Sequence, residues 1–283
     1  MKRYMIIHES FDTRPNLLNI EISDNWPEET KENMRTAQKN VRDAFFLEYG
    51  QADNEQKIKN FLDIGAELTS VISYHNTFFR ECKSAFIIGS YYPALTGACA
   101  LGERILNHLV LNLRDYYKNT TNYKKVHNKS SFDNWDLAID TLVDWGILLE
   151  GVPQLFKDLL EVRNASIHFG SHLETDSRTP ALQALNLVHN IMIEQFGSRP
   201  GGKRNWFING APGFPFIKKE FEEIPFIKEF YIPSAILLGP YHRIASDDNN
   251  LRIYDHENYE DREISDDEFV NLLNDFRVNN VCE

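Results

Sequence analysis

Arg163 and His168 pair a fixed cation with a group that titrates near neutrality, residue types that could serve metal-free cleavage of RNA. The 2′-hydroxyl attacks the neighbouring phosphorus, so a group titrating near neutrality must carry protons and a fixed cation must neutralise the phosphorane oxygens. Histidine is the natural proton carrier and arginine the natural phosphate fork. Both stand in Glu161-Val162-Arg163-Asn164-Ala165-Ser166-Ile167-His168-Phe169-Gly170, at the end of a helix that Pro153 opens and Gly170 closes. Near that C-terminus His168 meets the negative end of the helix dipole, which favours the protonated form and suits a general acid. Asn164 precedes His168 by one helical repeat and shares its side, where it can orient the imidazole or bind a phosphate oxygen. Ser166 is a supporting candidate. Arg163 and His168 themselves stand roughly 140° apart around an ideal helix. Joint action therefore needs a long reaching Arg or a second copy of the helix facing the first. The competing reading is a helix-capping His and a surface Arg on an ordinary core helix.

The elements around the pair follow from apolar spacing. On its own helix Leu155, Leu159, Val162, Ser166 and Phe169 form one stripe, and Phe156, Leu160, Arg163 and Ile167 the adjoining one, so Arg163 borders an apolar face. Pro93 marks an earlier helix whose Ala94, Gly97, Ala98, Ala100 and Gly102 form a small-residue face, which lets helix backbones approach closely. Glu103 and Asn107 sit one repeat apart on that helix. Glu103 either holds Arg163 in place or is a surface acid. A polar connection over 118–131 leads to a helix that Asp133 caps and that carries Trp135, Leu142, Trp145 and Leu149, and one more helix spans 181–196 before Gly197. Upstream, alternation at Tyr4 and Ile6 and at Leu18 and Ile20 predicts strands or an ordered arm. Pro27 then starts a helix that Gly50 stops, and the spacing from Ile58 to Ile72 predicts a second long helix over about 53–80. Beyond Gly201 prolines interrupt short apolar runs at 226–232 and 235–238, which read as strands and turns, and an acidic helix follows near 266–276.

An Arg-Asn then His in the last turn, a Gly stop and a helical array over about 84–197 resemble the HEPN superfamily (higher eukaryotes and prokaryotes nucleotide-binding domains), with Arg163-Asn164-Ala165-Ser166-Ile167-His168 as the matching R-x4-6-H motif. The resemblance implies metal-independent endoribonuclease activity and a homodimer whose two motifs line one cleft, which would also meet the angular difficulty. Gly170 stands where related toxins carry a Tyr in R-x4-H-x-Y. The expected fold class is mainly α: a HEPN-like helical bundle over 84–199, an N-terminal arm and long helices over 1–83 packing on it, and a small α+β C-terminal region with an acidic tail over 200–283. The Ser-Arg-Pro-Gly-Gly-Lys segment at 198–203 is the boundary.

Charge constrains the partner. The net charge of −12 opposes nucleic acid, yet twelve acidic residues against three arginines between 245 and 283 concentrate −9 there and leave about −3 for the rest. Lys118, Lys124, Lys125 and Lys129, with Arg114, interleave with Tyr116, Tyr117 and Tyr123, a mixture that suits an RNA phosphate track with aromatic stacking or an ordinary solvated loop. The acidic region is expected to lie over that track and restrain activity until displaced. Cys82, Cys99 and Cys282 lack CxxC or Cys/His spacing, which argues against a disulfide framework and a zinc site, so no metal or cofactor is expected. His108 and His127 have no partners at ligand spacing and read as structural or exposed. Without a membrane-length apolar run or a signal-peptide h-region in the first twelve residues, a cytoplasmic, soluble protein is expected, and the sequons at Asn119, Asn128 and Asn164 are discounted. The function expected is an RNase acting as a toxin or defence effector, with an antitoxin or regulatory protein as a partner. The alternative is a non-catalytic HEPN-like module that binds a nucleotide or protein.

Overall fold

A computed structural model describes residues 1–7, 12–67, 70–167, 174–197, 205–211, 213–247, 250–255, 260 and 262–280. The protein is mainly helical, with two small two-stranded sheets among the described residues, and divides into a helical unit, Glu9–Gly197, and a mixed unit made of Met1–His8 and Ser198–Glu283. No helix among the described residues is long and apolar enough to cross a membrane.

In the helical unit, the central element is α5 (Tyr91–Leu113), which packs against α4 (Ser73–Ile87), α7 (Trp135–Asp144), α8 (Val152–Ile167) and α9 (Arg178–Phe196). Its fully buried Ala94, Ala98 and Cys99 leave room for neighbours. A Cβ added at Gly97 would come within 2.6 Å of the Cys82 sulfur on α4, and one at Gly102 within 2.5 Å of Leu159 Cδ2 on α8. The small-residue face therefore sets how closely α4 and α8 lie on α5. Asn134, rather than Asp133, caps α7: its side chain accepts a hydrogen bond from the Leu137 N–H at 3.0 Å. The 118–131 connection is partly ordered as a 3₁₀ turn, Arg114–Tyr117, just before it and a single helical turn, α6 (Tyr123–Val126), within it. The Gly170 stop expected for α8 lies outside the described residues.

Three further helices precede the bundle: α1 (Arg14–Leu18), α2 (Glu28–Tyr49) and α3 (Asn54–Ile64). Leu18 belongs to α1 instead of a strand. The long helix predicted over about 53–80 is two helices, α3 and α4. Gly65 ends the first at φ 77°, a left-handed conformation open to glycine, and the apolar spacing runs on across the break because both pieces bury their faces. The Lys83 ammonium, only 2% exposed, stands 3.1 Å from Asp12 and 3.3 Å from Glu67, and Arg14 joins Asp12 to Glu48. Burial pushes the Asp12 carboxyl up, but the Arg14 hydrogen bond and the Lys83 and Arg14 charges outweigh it and hold the group near 2.

In the mixed unit, β1 (Arg3–Ile6) pairs antiparallel with β2 (Ala235–Leu238), Arg3 opposite Leu238, so the N-terminal strand belongs with the C-terminal segment. A hairpin of β3 (Arg243–Asp247) and β4 (Asn250–Tyr254) follows. The run expected as a strand at 226–232 is instead a short helix, α10 (Pro225–Phe230), whose Pro225 starts it, with a 3₁₀ turn after it. The acidic helix is present as α11 (Asp266–Asn280). It is no loose tail: Phe269 and Leu273 are buried with Met1, Met5 and Phe216, and the buried Arg3 guanidinium donates to Asp266 at 2.7 Å and to the Ile264 carbonyl at 2.6 Å.

Candidate functional site

The site is built on α5 and α8. Arg163 projects from α8 towards Glu103 on α5, with Nη2 3.3 Å from the carboxylate. The same oxygen, Glu103 Oε2, accepts a hydrogen bond from the Trp135 indole N–H at 3.2 Å, and the guanidinium stands 5.9 Å from the centre of that indole ring. Trp135 is buried at the start of α7, so a rigid core residue fixes the carboxylate, which in turn fixes the arginine. Arg163 keeps 23% of its side chain exposed. A guanidinium has five N–H donors in a planar fork, so the pairing with Glu103 leaves donors for an incoming oxyanion.

The exposed edge of this group opens into a cleft of about 480 Å³ lined by Arg163, Glu103, Arg104, His108, Ser130 and Ser131. Asn107 shapes its far wall: the side-chain amide donates to the Phe132 carbonyl at 3.1 Å and accepts from the Phe132 N–H at 2.6 Å, clamping the chain just after Ser130 and Ser131. His108 is half-buried, and its Nδ1 hydrogen-bonds the Tyr74 hydroxyl of α4. Burial, with the Arg104 charge added, holds the imidazole below its ordinary pKa, and burial raises that of the Tyr74 phenol.

The structure thus joins Glu103 to Arg163, as one of the two sequence readings had it. His168 lies outside the described residues. Asn164 is exposed on α8. Ser166 is buried, its hydroxyl without a hydrogen-bond partner among the described residues, beside a separate cavity of about 460 Å³ bordered by Val162, Asp176 and Thr179. It does not line the Arg163 cleft. Lys124 and Lys125 are exposed on α6, Lys118 pairs with Asp115 at 3.6 Å, and the Lys129 ammonium stands 5.7 Å from the Phe132 ring centre. Because Ser130 follows Lys129 directly, the basic stretch runs into the cleft rim. The aromatic half of the expected track is partly committed elsewhere: Tyr117 stacks on Trp145 with centroids 4.8 Å apart, and Tyr123 packs on His127.

Arg104, His108, Ser130 and Ser131 of the cleft lining, and Trp135 behind Glu103, are not among the site residues expected from the sequence. The signal for His108 was its position one repeat after Arg104 on the helix of Glu103 and Asn107. Its partner Tyr74 is on another helix, where spacing along the chain shows nothing. Cys82 and Cys99 are buried free thiols, pushed by burial up to about 11 and about 12, which makes them poor nucleophiles and metal ligands. Among the described residues no group of three or more His, Cys, Asp or Glu is arranged to hold a metal ion. No family model, curated protein or solved structure matches this chain.

Proposed function

We propose that the protein is a metal-independent endoribonuclease of the HEPN type, working as a homodimer and serving as a toxin or defence effector under the control of a regulatory protein. In this reading Arg163 neutralises the scissile phosphate and His168 protonates the leaving 5′-oxygen. One observation carries it: the motif arginine is held by Glu103 and Trp135 at the edge of a polar cleft, with donors to spare, at the end of a lysine-bearing connection. An arginine serving packing alone has no need of an open polar cleft.

The test is cleavage of mixed RNA by purified protein in excess EDTA. Wild type is expected to give fragments ending in 2′,3′-cyclic phosphate, and folded Arg163→Ala and His168→Ala variants to lose at least about 100-fold of the rate. The second reading, a binding module that does not cut, draws on the same ion pair, because Glu103 offsets part of the Arg163 charge. RNA retained by wild type without fragments, and released by Arg163→Ala, would establish it in place of the nuclease.

A further inference from the structure

Resting on the ribonuclease reading for the identity of the ligand, we propose that Arg104 forms a second phosphate site in the Arg163 cleft, so that the cleft takes two consecutive phosphates of an RNA strand, one on each arginine.

The floor of the cleft is the exposed face of α5 from Thr96 to Leu111, about 22 Å at 1.5 Å per residue. Even stacked nucleotides advance by about 3.4 Å each, so this floor is longer than a single phosphate requires. Gly97 abuts Cys82 and thereby marks the α4 side of the face. Arg104, seven residues later, returns to within about 20° of that direction, whereas Glu103 stands about 100° from Arg104, towards α8. The two arginines are anchored accordingly. Arg163 is held by Glu103 at 3.3 Å, and the Arg104 guanidinium lies 5.2 Å from the centre of the Phe78 ring on α4. They meet the cleft from opposite edges of the α5 face, so each fork serves its own oxyanion.

Charge singles out Arg104. The charged side chains of the cleft lining are Arg163, Glu103 and Arg104, which sum to +1 in a chain of net charge −12. His108 adds no charge, because burial and the Arg104 cation hold its imidazole below the ordinary pKa. Glu103 offsets Arg163, which leaves Arg104 as the uncompensated cation: among the described residues it has no hydrogen bond and no ion pair. Its contact with Phe78 uses the face of the guanidinium and leaves the five N–H donors of the edge for a ligand. A fork already held against a ring loses little freedom on binding, and the positive cleft draws an anion.

The experiment is titration calorimetry in EDTA with adenosine 3′,5′-bisphosphate, the smallest piece of RNA that has two consecutive phosphates, against the 3′-monophosphate, the 5′-monophosphate and the 5′-diphosphate. Wild type is expected to bind the bisphosphate at least about tenfold more tightly than either monophosphate. Arg104→Gln is expected to lose that advantage and Arg104→Lys to keep part of it. Arg104 is exposed, so both substitutions leave the core intact. A second arm compares kcat/KM for a diribonucleotide with and without an added terminal phosphate. The phosphate at one of the two ends is expected to raise it about tenfold in wild type and to have no effect in Arg104→Gln. Equal affinity of wild type for bisphosphate and monophosphates, or an advantage intact in Arg104→Gln, overturns the Arg104 site while leaving the nuclease standing. A diphosphate bound as tightly as the bisphosphate would assign the arginines to the pyrophosphate of a nucleotide and overturn the assignment to RNA. Wild type that cuts no RNA but shows the Arg104-dependent advantage would remove the nuclease and keep the paired phosphate site.

Discussion

Glu103 stands at the junction of two demands. Its carboxylate must accept from the buried Trp135 indole, and it must hold Arg163 without cancelling it. The pair is partly exposed, 23% and 34% for the two side chains, so its contribution to stability is small, under about 1 kcal/mol. Its contribution to positioning is a different quantity, since a small misplacement of a phosphate-binding group lowers the rate steeply. Glu103→Gln separates the two: the amide oxygen still accepts from Trp135, while the charge that holds Arg163 is gone. The freed guanidinium should bind phosphate more readily but in more orientations, so kcat is expected to fall about tenfold while KM falls as well, with thermal stability nearly unchanged. Steady-state cleavage kinetics decide this, and a kcat equal to wild type would show that the Glu103 contact positions nothing.

At the scale of elements, α5 is the axis from which the site is hung, because it carries Glu103, Arg104, Asn107 and His108 and fixes the approach of α8. Gly102 sets that approach. Alanine in a helix interior is favoured over glycine by about 1 kcal/mol, but the added Cβ would meet Leu159 Cδ2 at 2.5 Å and the Trp135 ring at 3.1 Å, and both side chains are buried and unable to swing clear. Overpacking of this kind costs about 1–3 kcal/mol and wins. Gly102→Ala is therefore expected to lower the unfolding free energy by about 1–2 kcal/mol in denaturant titration and, by moving α8 away, to reduce cleavage more than the stability loss accounts for. A variant as stable and active as wild type would mean that α8 has slack there. Much at this scale was legible in the sequence: the small-residue face of α5, the start of α8 at Pro153 and the end of α2 at Gly50 all follow from residue type. The break at Gly65 was hidden because the apolar spacing continues across it, and α10 was mistaken for a strand because a short apolar run has no period of its own. At the site, Glu103 was legible as one of two options. The contacts of Trp135 with Glu103 and of Tyr74 with His108 join residues 32 and 34 positions apart, and no local pattern encodes them.

Over the whole molecule the proposed function raises the question of how a chain of net charge −12 would engage RNA. Four of the twelve acids of the C-terminal region, Asp266, Asp267, Glu268 and Asp275, are carried on a folded element, since α11 buries Phe269 and Leu273 and is tied through Asp266 to Arg3. Deleting 245–283 would remove part of a core, so a truncation would report unfolding along with any loss of restraint. Substitution of surface acids keeps the fold. Glu260, Asp267 and Asp275 are exposed, and changing them to Gln, Asn and Asn takes the net charge from −12 to −9 without touching the buried face. The helix-dipole cost at Asp267 is about 0.3–1 kcal/mol, too little to unfold the unit. If the acidic region restrains RNA binding through its field, the triple variant should bind RNA several-fold more tightly at about 0.01 M salt, where the screening length is about 30 Å, with most of that gain gone at about 0.15 M, where it is about 8 Å. Association measured by fluorescence anisotropy at the two salt concentrations reads this directly. Equal affinities for wild type and variant at low salt would mean that these carboxylates do not act on the RNA-binding surface.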